Sequence, residues 1–517
     1  MPSKILFMSD SGAAYGKAEE MADTGNVVWF WTRKKGVHIP GESADVKRVD
    51  GWRPWANKAD KVVFDDIQGM ERERDWLKKR GKVVVDAERE SYPKDKNNVN
   101  SISKIDLTSK SVLVVDRGLF QHVPRRLGRD FGKVYYFLDV VEPAPRIVLD
   151  EIGRGFDEFE VADSFWKILD KVDMVMFTDV YNDSLPEWLH SKGYKVFGSL
   201  ASERLETDRV KLKDTLKKVG LATAPDVVKT GVDEVQRYLR DKKDKHLKVS
   251  YWRGTAETTK YRDAFLSDSW FDQKRAENGL AADKLKIMVE DPIDGFETGI
   301  DTFQFEGQLP KNSIVGYELK GKGYAGAVFD TLPKILADMH EKMAPEFKRL
   351  GYQGAYSNEV RITKDGTPYY LDCTARFPSP PSEICCEQWT NFSDAVWSLA
   401  HGELIDFEYK HRFGVQINLM SDFAAKHWLP VEVPAEIDKF VMLKNCRKEK
   451  EGYSVIPNCA GSYVGSVIAM GDDLDAIEEE CLDRAGMVKG EELTFEADAF
   501  DTIDEAIEAG KKHGITF

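Results

Sequence analysis

The stretch "GTPYYLDCTARFPSPPSE", residues 366–383, decides how the rest of the chain is interpreted. Its apolar, strand-like beginning runs into Asp372, Thr374 and Arg376, which stand at alternate positions. Because alternate side chains of a strand point to the same face, these three polar groups line up together. Polar and charged groups are costly to bury unless a charged partner lies between them. A ligand-binding strand and a solvated edge strand both fit this pattern.

Composition narrows the class of protein. The chain has 517 residues, of which 42% are hydrophobic, so it can build several packed cores in roughly three to four domains. A net charge of -15 argues against bulk binding of nucleic acid or acidic membranes. The N-terminus lacks a signal peptide, and no apolar run reaches the about 20 residues that cross a bilayer. Six cysteines without metal-ligand spacing indicate reduced thiols. We therefore expect a cytoplasmic protein.

The front of the chain repeats itself. The matching segments are "KADKVVFDD" (58–66) with "KVDMVMFTD" (171–179), and "DWLKKRGKVVVD" (75–86) with "EWLHSKGYKVFG" (187–198). Short β-branched and aromatic runs between amphipathic segments are typical of buried parallel strands in βα units. We predict two small doubly wound domains, residues 1–105 and 106–200, that arose by duplication. The polar segment 91–104 is the expected linker.

Two lysines are candidates for binding phosphate. Lys248 interrupts the apolar strand "HLKVSYW" and precedes the turn-bearing stretch "YWRGTAETTKY", residues 251–261. A lysine that reaches from a strand under a loop of small residues suits a phosphate. Lys211 lies on a predicted helix that ends at Gly220. A lone lysine on a helix also fits a face that is exposed to solvent.

Acidic residues cluster in two later segments. The segment "VEDPIDGFETGIDTF", residues 289–303, ends one strand with Glu290 and Asp291 and begins another with Glu297. The predicted hairpin "SNEVRIT–KDGT–PYYLDCTAR" brings Glu359 opposite Asp372. Together with the Thr374 hydroxyl, these two carboxylates form an oxygen-rich site of the kind that Mg²⁺ prefers.

These pieces, in this order, resemble the ATP-grasp ligases, and most closely the phosphoribosylamine–glycine ligase-like members. The resemblance rests on "FGS" (197–199), "SERLETDRVK" (202–211), the lysine strand, "VEDPIDGFETGIDTF" and "GTPYYLDCTARFPSPPSE". It extends to residues 411–517, which include "YVGSVIAMGDDLDAIEEECLDRAG". It implies an α/β chain in which the Rossmann-like domain at 106–200 is the family's front domain, followed by an ATP-grasp domain at 201–405 with a lid at 226–290 and a small α+β domain at 406–517. The Rossmann-like domain at 1–105 is an addition to this family pattern.

The resemblance also implies a role for each site residue. Lys211 and Lys248 would contact ATP phosphates, Glu290, Asp291 and Ile293 the adenine, Glu297 the ribose, and Glu359, Asp372 and Thr374 the Mg²⁺, while Arg376 and Lys248 would stabilise the transferred phosphoryl group. The chain departs from the family in two places. Asp372 and Thr374 stand where Glu and Asn are usual, and the stretch 251–261 has a single glycine where relatives have several.

The implied activity is ATP-dependent ligation of a carboxylate to an amine through an acyl phosphate, with release of ADP and phosphate. Its cofactors would be ATP and Mg²⁺, or Mn²⁺ in its place, and its partners two small molecules and a second copy of the chain. Segments 226–290 and 319–326 are the candidate lids over the reactive intermediate. Three alternatives stay open: a small-molecule kinase, a nucleotide-binding scaffold without turnover, and the carboxylase half of a biotin-dependent system.

Overall fold

The computed structural model describes residues 3–9, 15–23, 25–33, 45–64, 70–86, 105–139, 149–182, 184–250, 258–457 and 461–517. The chain divides into two compact units, Met1–Lys104 and Ile105–Phe517. The predicted linker 91–104 and residues 251–257 of the predicted phosphate loop lie outside the described residues. Within the described part of the chain, no helix has both the length and the apolar character needed to cross a membrane.

The first unit contains a five-stranded parallel sheet. Its strands are β1 (Lys4–Ser9), β2 (Val27–Thr32), β3 (Val46–Arg48), β4 (Lys61–Phe64) and β5 (Val83–Asp86), and its helices are α1 (Tyr15–Asp23), α2 (Arg53–Lys58) and α3 (Glu71–Lys78). The strand order is β3-β2-β1-β4-β5. Ile5 and Phe7 belong to one apolar cluster, whereas Leu6 and Met8 belong to another. The sheet is therefore covered on both faces, as the continuous apolar strands predict.

A second parallel sheet begins the second unit. Its strands are β6 (Ser111–Asp116), β7 (Lys133–Leu138), β8 (Glu160–Val161), β9 (Met174–Phe177) and β10 (Val196–Phe197), and its helices are α4 (His122–Leu127), α5 (Phe165–Leu169) and α6 (Leu185–Ser191). The order β8-β7-β6-β9-β10 repeats that of the first sheet, third-second-first-fourth-fifth along the chain. Each predicted block thus forms a doubly wound sheet, while duplication as their origin stays a prediction.

An antiparallel four-stranded sheet follows, within the segment predicted to be a lid. It consists of β11 (Asp226–Thr230), β12 (Lys245–Val249), β13 (Thr258–Tyr261) and β14 (Lys286–Glu290); the helices before and within it are α7 (Arg204–Thr207), α8 (Arg209–Lys218), α9 (Val232–Leu239) and α10 (Ala264–Asn278). The strand order is β11-β14-β12-β13. Helix α8 begins after Asp208, whose side chain accepts a hydrogen bond from the Lys211 backbone N–H at 3.1 Å.

The remaining chain forms an eight-stranded and a smaller four-stranded sheet. The strands are β15 (Phe296–Phe305), β16 (Ser313–Leu319), β17 (Gly323–Phe329), β18 (Gln353–Ile362), β19 (Pro368–Thr374), β20 (Phe413–Met420), β21 (Leu429–Glu432), β22 (Val441–Leu443), β23 (Cys446–Glu449), β24 (Gly452–Val455), β25 (Tyr463–Gly471) and β26 (Lys489–Gly490). The helices are α11 (Lys334–Arg349), α12 (Ser382–Gln388), α13 (Phe392–Ala400), α14 (Leu474–Met487) and α15 (Ala499–Lys511).

The eight-stranded sheet has the order β19-β18-β15-β16-β17-β20-β25-β22, and the smaller sheet has the order β23-β24-β21-β26. In the β18–β19 hairpin, Glu359 pairs with Asp372, the register that the sequence predicts. The predicted mobile segment 319–326 is mostly β-structure, because β17 begins at Gly323 and pairs with β16. Only the turn at 320–322 separates these strands. Parallel sheets early in the chain and antiparallel sheets later confirm the predicted α/β class.

Candidate functional site

A cavity of about 680 Å³, here called the main cavity, lies where the four-stranded sheet β11–β14 faces the eight-stranded sheet. The predicted site residues that line it are Lys248, Glu290, Asp291, Ile293, Glu297, Glu359, Asp372, Thr374 and Arg376. A neighbouring space of about 210 Å³, here called the side cavity, shares several of its walls, including Glu297, Glu359 and Arg376. The structure thus brings together residues that are far apart in sequence.

Lys248 links the two sheets across the main cavity. Its Nζ lies 2.7 Å from Asp372 Oδ2 and 3.2 Å from Glu290 Oε2. Burial would raise the pKa of Asp372, but the Lys248 ammonium and the Arg209 guanidinium lower that pKa to about 2. Asp372 is therefore a carboxylate at neutral pH, and it forms a charge-assisted hydrogen bond with a buried lysine.

Glu290, at the end of β14, is neutralised by two lysines. Lys213 Nζ lies 2.5 Å from Glu290 Oε1, and Lys248 approaches Glu290 Oε2. All three side chains are largely buried. Lys213 was not predicted from the sequence, although Arg209 and Lys213 are four residues apart and therefore share one face of α8.

The structure does not bring Lys211 to the main cavity. This residue lies two positions from Arg209 and Lys213 on α8, and a two-residue step turns a side chain to a different face of a helix. Partial burial and the nearby Arg204 and Arg349 lower the pKa of the Lys211 ammonium. Arg209 lines the cavity instead, with its Nε 3.8 Å from Asp372 Oδ1.

Three glutamates form an acidic group between the two cavities. Glu297, Glu318 and Glu359 each offer one carboxylate oxygen, and these oxygens lie within 4.8 Å of one another. The Lys320 Nζ is 2.7 Å from Glu359 Oε1 and 3.6 Å from Glu297 Oε1. Hard oxygen ligands at this spacing fit a divalent cation such as Mg²⁺. Glu318 was not predicted from the sequence; burial raises the pKa of its carboxyl group to about 8.

Arg376 is held in place by acids from the preceding part of the unit. Its Nε donates a hydrogen bond to Glu206 Oε1 at 2.9 Å and lies 3.6 Å from Asp179 Oδ1. The second oxygen of Glu206 accepts a hydrogen bond from the Ala375 backbone N–H at 2.7 Å. Glu206 was not predicted, because only the tertiary fold brings helix α7 against the end of β19.

The segment between β14 and β15 connects the two sheets covalently. Asp291 begins this segment and accepts a bond from Lys245 Nζ at 2.5 Å. The Ile293 carbonyl accepts a bond from Arg361 Nη1 at 3.2 Å, while Arg361 Nη2 donates to Glu297 Oε2 at 2.6 Å. Polar contacts therefore fix both ends of the segment that the sequence analysis assigned to adenine and ribose.

Cysteine and histidine form no comparable group in the described part of the chain. Cys373, Cys385 and Cys386 are buried and free, and burial raises the pKa of each thiol. The His401 Nδ1 lies 2.8 Å from the Trp397 carbonyl oxygen, within its own helix turn. None of these residues belongs to the group of possible metal ligands that the three glutamates form.

Comparisons with known proteins support the fold alone. No family model matches the chain, and no curated protein matches it. Among solved structures, phosphoribosylamine–glycine ligase from Thermotoga maritima matches with a TM-score of 0.56 and 16% identity, over 75% of this chain and 99% of that one. The biotin carboxylase domain of Hydrogenobacter thermophilus 2-oxoglutarate carboxylase, complexed with MgADP and bicarbonate, gives 0.55 and 13%, over 77% and 98%.

A third match is N5-carboxyaminoimidazole synthetase from Staphylococcus aureus in complex with ADP, with a TM-score of 0.51 and 12% identity, over 75% of this chain and 100% of that one. All three neighbours are ATP-grasp ligases. The chain therefore has the ATP-grasp fold that the sequence predicts.

Proposed function

We propose that the protein is an ATP-dependent ligase that joins a carboxylate to an amine through an acyl phosphate and releases ADP and phosphate. The observation that carries this proposal is the convergence on one cavity of a buried lysine, Lys248, an ionised Asp372, and the three-glutamate group. Phosphoryl transfer depends mainly on positioning and electrostatic stabilisation, and these residues offer both.

The chain's own groups fit a metal-bound nucleotide. Lys248 and Arg209 would bind its phosphates, Arg209 taking the place predicted for Lys211. The hinge segment with Glu290, Asp291 and Ile293 would hold the adenine, and Glu297 the ribose. Glu359, with Asp372 and Thr374 beside it, would hold Mg²⁺ or Mn²⁺. When bound, such a cation supplies charge neutralisation for the phosphate oxygens.

The remaining residues would orient the reactants and exclude water. Arg376 is fixed by Glu206 at a wall common to both cavities, so its guanidinium can face a carboxylate substrate there. The sheet β11–β14 would close over the main cavity, pivoting at the segment that follows Glu290. An acyl phosphate needs such shielding because water would hydrolyse it.

The side cavity favours a ligase over a kinase. It adjoins the main cavity and shares Thr374 and Arg376 with it, so a second substrate can reach the product of the first step. A kinase needs no second acceptor. Of the other partners, a homodimer stays a prediction; the 2-oxoglutarate carboxylase domain is a dimer by its own description.

The experiment that tests the proposal measures ADP, AMP and phosphate release from MgATP with pools of carboxylates and amines. We expect ADP and phosphate only when one carboxylate and one amine are both present. The Asp372→Asn variant should lose this release, whereas Asp338→Asn, an exposed aspartate on α11, should retain it. ADP formation with a single acceptor would establish the kinase instead, and nucleotide binding without turnover would establish the scaffold.

A further inference from the structure

The side cavity is lined by more acidic residues than basic ones. Its charged lining residues are Glu297, Asp301, Glu318, Glu359, Lys320 and Arg376. Both cations are committed to carboxylates of the protein. Lys320 pairs with Glu359 and Glu297, and Arg376 pairs with Glu206 and Asp179. Since Arg376 is assigned above to the carboxylate substrate, the described walls offer the amine several acids and no cation of its own.

Asp301 is the acid that lies deepest on this side. It stands on β15, is 5% exposed, and lines only the side cavity of the two. Its Oδ2 accepts a hydrogen bond from the Tyr324 hydroxyl at 2.7 Å. Within the described residues neither Asp301 nor Glu318 forms an ion pair, so a buried carboxyl group lacks a counter-ion. Burial raises the pKa of Asp301 to about 7, although hydrogen bonds from Tyr324 and Ser357 act in the opposite direction, and a bound cation would favour its ionised form.

Glycines create the room around Asp301. A Cβ at position 316 would lie 1.9 Å from the Tyr324 hydroxyl oxygen, so this ring reaches Asp301 only because residue 316 has no side chain. A Cβ at Gly299 would lie 1.9 Å from the Asn358 carbonyl oxygen. The strands therefore approach closely, and they leave a small polar space of about 210 Å³.

From this geometry we propose that the side cavity binds the amine substrate as a small ammonium ion without a phosphate group, with Asp301 as its counter-ion. This inference rests on the proposed ligase function and narrows its substrate class. Another ATP-grasp protein, phosphoribosylamine–glycine ligase, is named for an amine that carries a phosphate. Even with Glu359 assigned to the metal and Glu297 to the ribose, Asp301 and Glu318 remain without an ion pair among the described residues, and they would repel such a group.

Chemistry at Asp301 follows from this placement. A bound ammonium must lose one proton before its nitrogen can attack the acyl carbon, and the Asp301 carboxylate accepts that proton. The nitrogen lone pair then forms the C–N bond while phosphate leaves with the electrons of the broken C–O bond. The second proton of the nitrogen passes to the departing phosphate, and Asp301 then releases its proton to solvent, so atoms and charge balance.

The test uses the full-length protein, MgATP, a carboxylate pool and matched amines. Ethanolamine and O-phosphoethanolamine form one pair, since they differ only by the phosphate; glycine, ethylamine and 1,4-diaminobutane extend the unphosphorylated set. Hydroxylamine in a parallel reaction traps any acyl phosphate as a hydroxamate, independently of the natural amine. Amine binding is measured separately as the shift in Tm that each amine causes in the presence of MgADP.

We expect unphosphorylated amines to support turnover, and O-phosphoethanolamine to be at least about tenfold poorer than ethanolamine in kcat/KM, a difference of about 1.4 kcal/mol. Asp301→Asn should keep hydroxamate formation, raise the KM for the amine about tenfold or more, and abolish the amine-dependent Tm shift. Asp338→Asn is the matched control and should change none of these. The hydroxamate assay shows whether a loss lies in the amine step.

One result would overturn the inference while leaving the ligase intact: hydroxamate formation with none of the unphosphorylated amines used, whether or not O-phosphoethanolamine is used. An unchanged amine KM and Tm shift in Asp301→Asn would also overturn it. Absence of both hydroxamate and ADP with every carboxylate would instead reject the proposed ligase function itself.

Discussion

The sheet β11–β14 and the eight-stranded sheet face the same cavity but balance their charges differently. On the first, Glu290 lies between Lys213 and Lys248, so its charge is compensated within a few ångströms. On the second, Lys320, whose side chain is 58% exposed, pairs with Glu359 and Glu297, and Arg361 also pairs with Glu297. Glu318 and Asp301 have no ion pair among the described residues. The charges of the first sheet are thus balanced without a ligand, whereas the second sheet carries excess negative charge that a bound cation would compensate.

The Lys248–Asp372 pair is the contact on which this comparison depends, because it joins the two sheets. Replacing Lys248 by Met, or Asp372 by Asn, removes a charge from the transition-state environment and leaves its partner uncompensated. We expect kcat to fall by about 10²–10³-fold in each variant. Steady-state kinetics of both variants and the double variant measure the coupling; additive losses in the double variant would show that the two residues act separately.

The complete charge balance of the first sheet predicts a stability effect. In Glu290→Gln, two buried ammonium groups lose their shared carboxylate, and we expect the free energy of unfolding to fall by about 3 kcal/mol. Calorimetry would show a lower Tm. The double variant Glu290→Gln with Lys213→Met removes one orphaned charge and should recover part of the loss. A Tm equal to that of the unaltered protein would contradict this balance.

Glu203 lies outside both sheets, and its carboxyl group provides a separate test of how burial affects the pKa and the stability. Burial raises its pKa from 4.5 to about 7, although the backbone N–H groups of Tyr181 and Asn182 act in the opposite direction. Between these values the folded chain binds more protons than the unfolded chain, so this group's contribution to stability is lost as pH rises.

Glu203→Gln removes that titration. We expect its free energy of unfolding, relative to the unaltered protein, to increase by up to about 3 kcal/mol between pH 4 and pH 8. Urea unfolding at the two pH values measures this difference. A difference that stays constant with pH would show that Glu203 has an ordinary pKa.

The smallest expected effects concern MgATP binding by two basic residues of α8, Arg209 and Lys211. Arg209→Met should weaken MgATP binding about tenfold, because its guanidinium lines the main cavity beside Asp372. Lys211→Met, a matched change two residues away, should alter binding less than about twofold. Calorimetric titration of both variants compares them directly, and a larger effect at Lys211 would restore the assignment made from sequence.

The sequence predicts the parts of the site that depend on short-range regularity. Strand alternation places Asp372 and Thr374 on one face, and the hairpin turn fixes the pairing of Glu359 with Asp372. Both follow from local geometry, so residues close in sequence suffice. The parallel sheets were predictable for the same reason, since apolar strands between amphipathic segments leave few alternatives.

Residues whose roles depend on the face of a helix that they occupy, or on tertiary packing, were not predicted from the sequence. Lys211 was predicted as a phosphate ligand, whereas Arg209 and Lys213 occupy the face of α8 that is turned to the cavity and to Glu290. No short motif reveals which face of this helix that is. Glu206 and Glu318 acquire their roles from elements that pack together only in the folded chain. Their positions depend on crossing angles and loop paths, which a single sequence specifies only through the whole core.

The eight-stranded sheet also determines where the chain can be shortened. Strand β17 pairs with β20, so the sheet continues across residue 405, the predicted end of the ATP-grasp domain. A protein cut there would expose the unpaired edge of β17, which can recruit other chains and cause aggregation. A cut before Ile105 breaks no strand pairing between the described residues, and is the better place to shorten the protein.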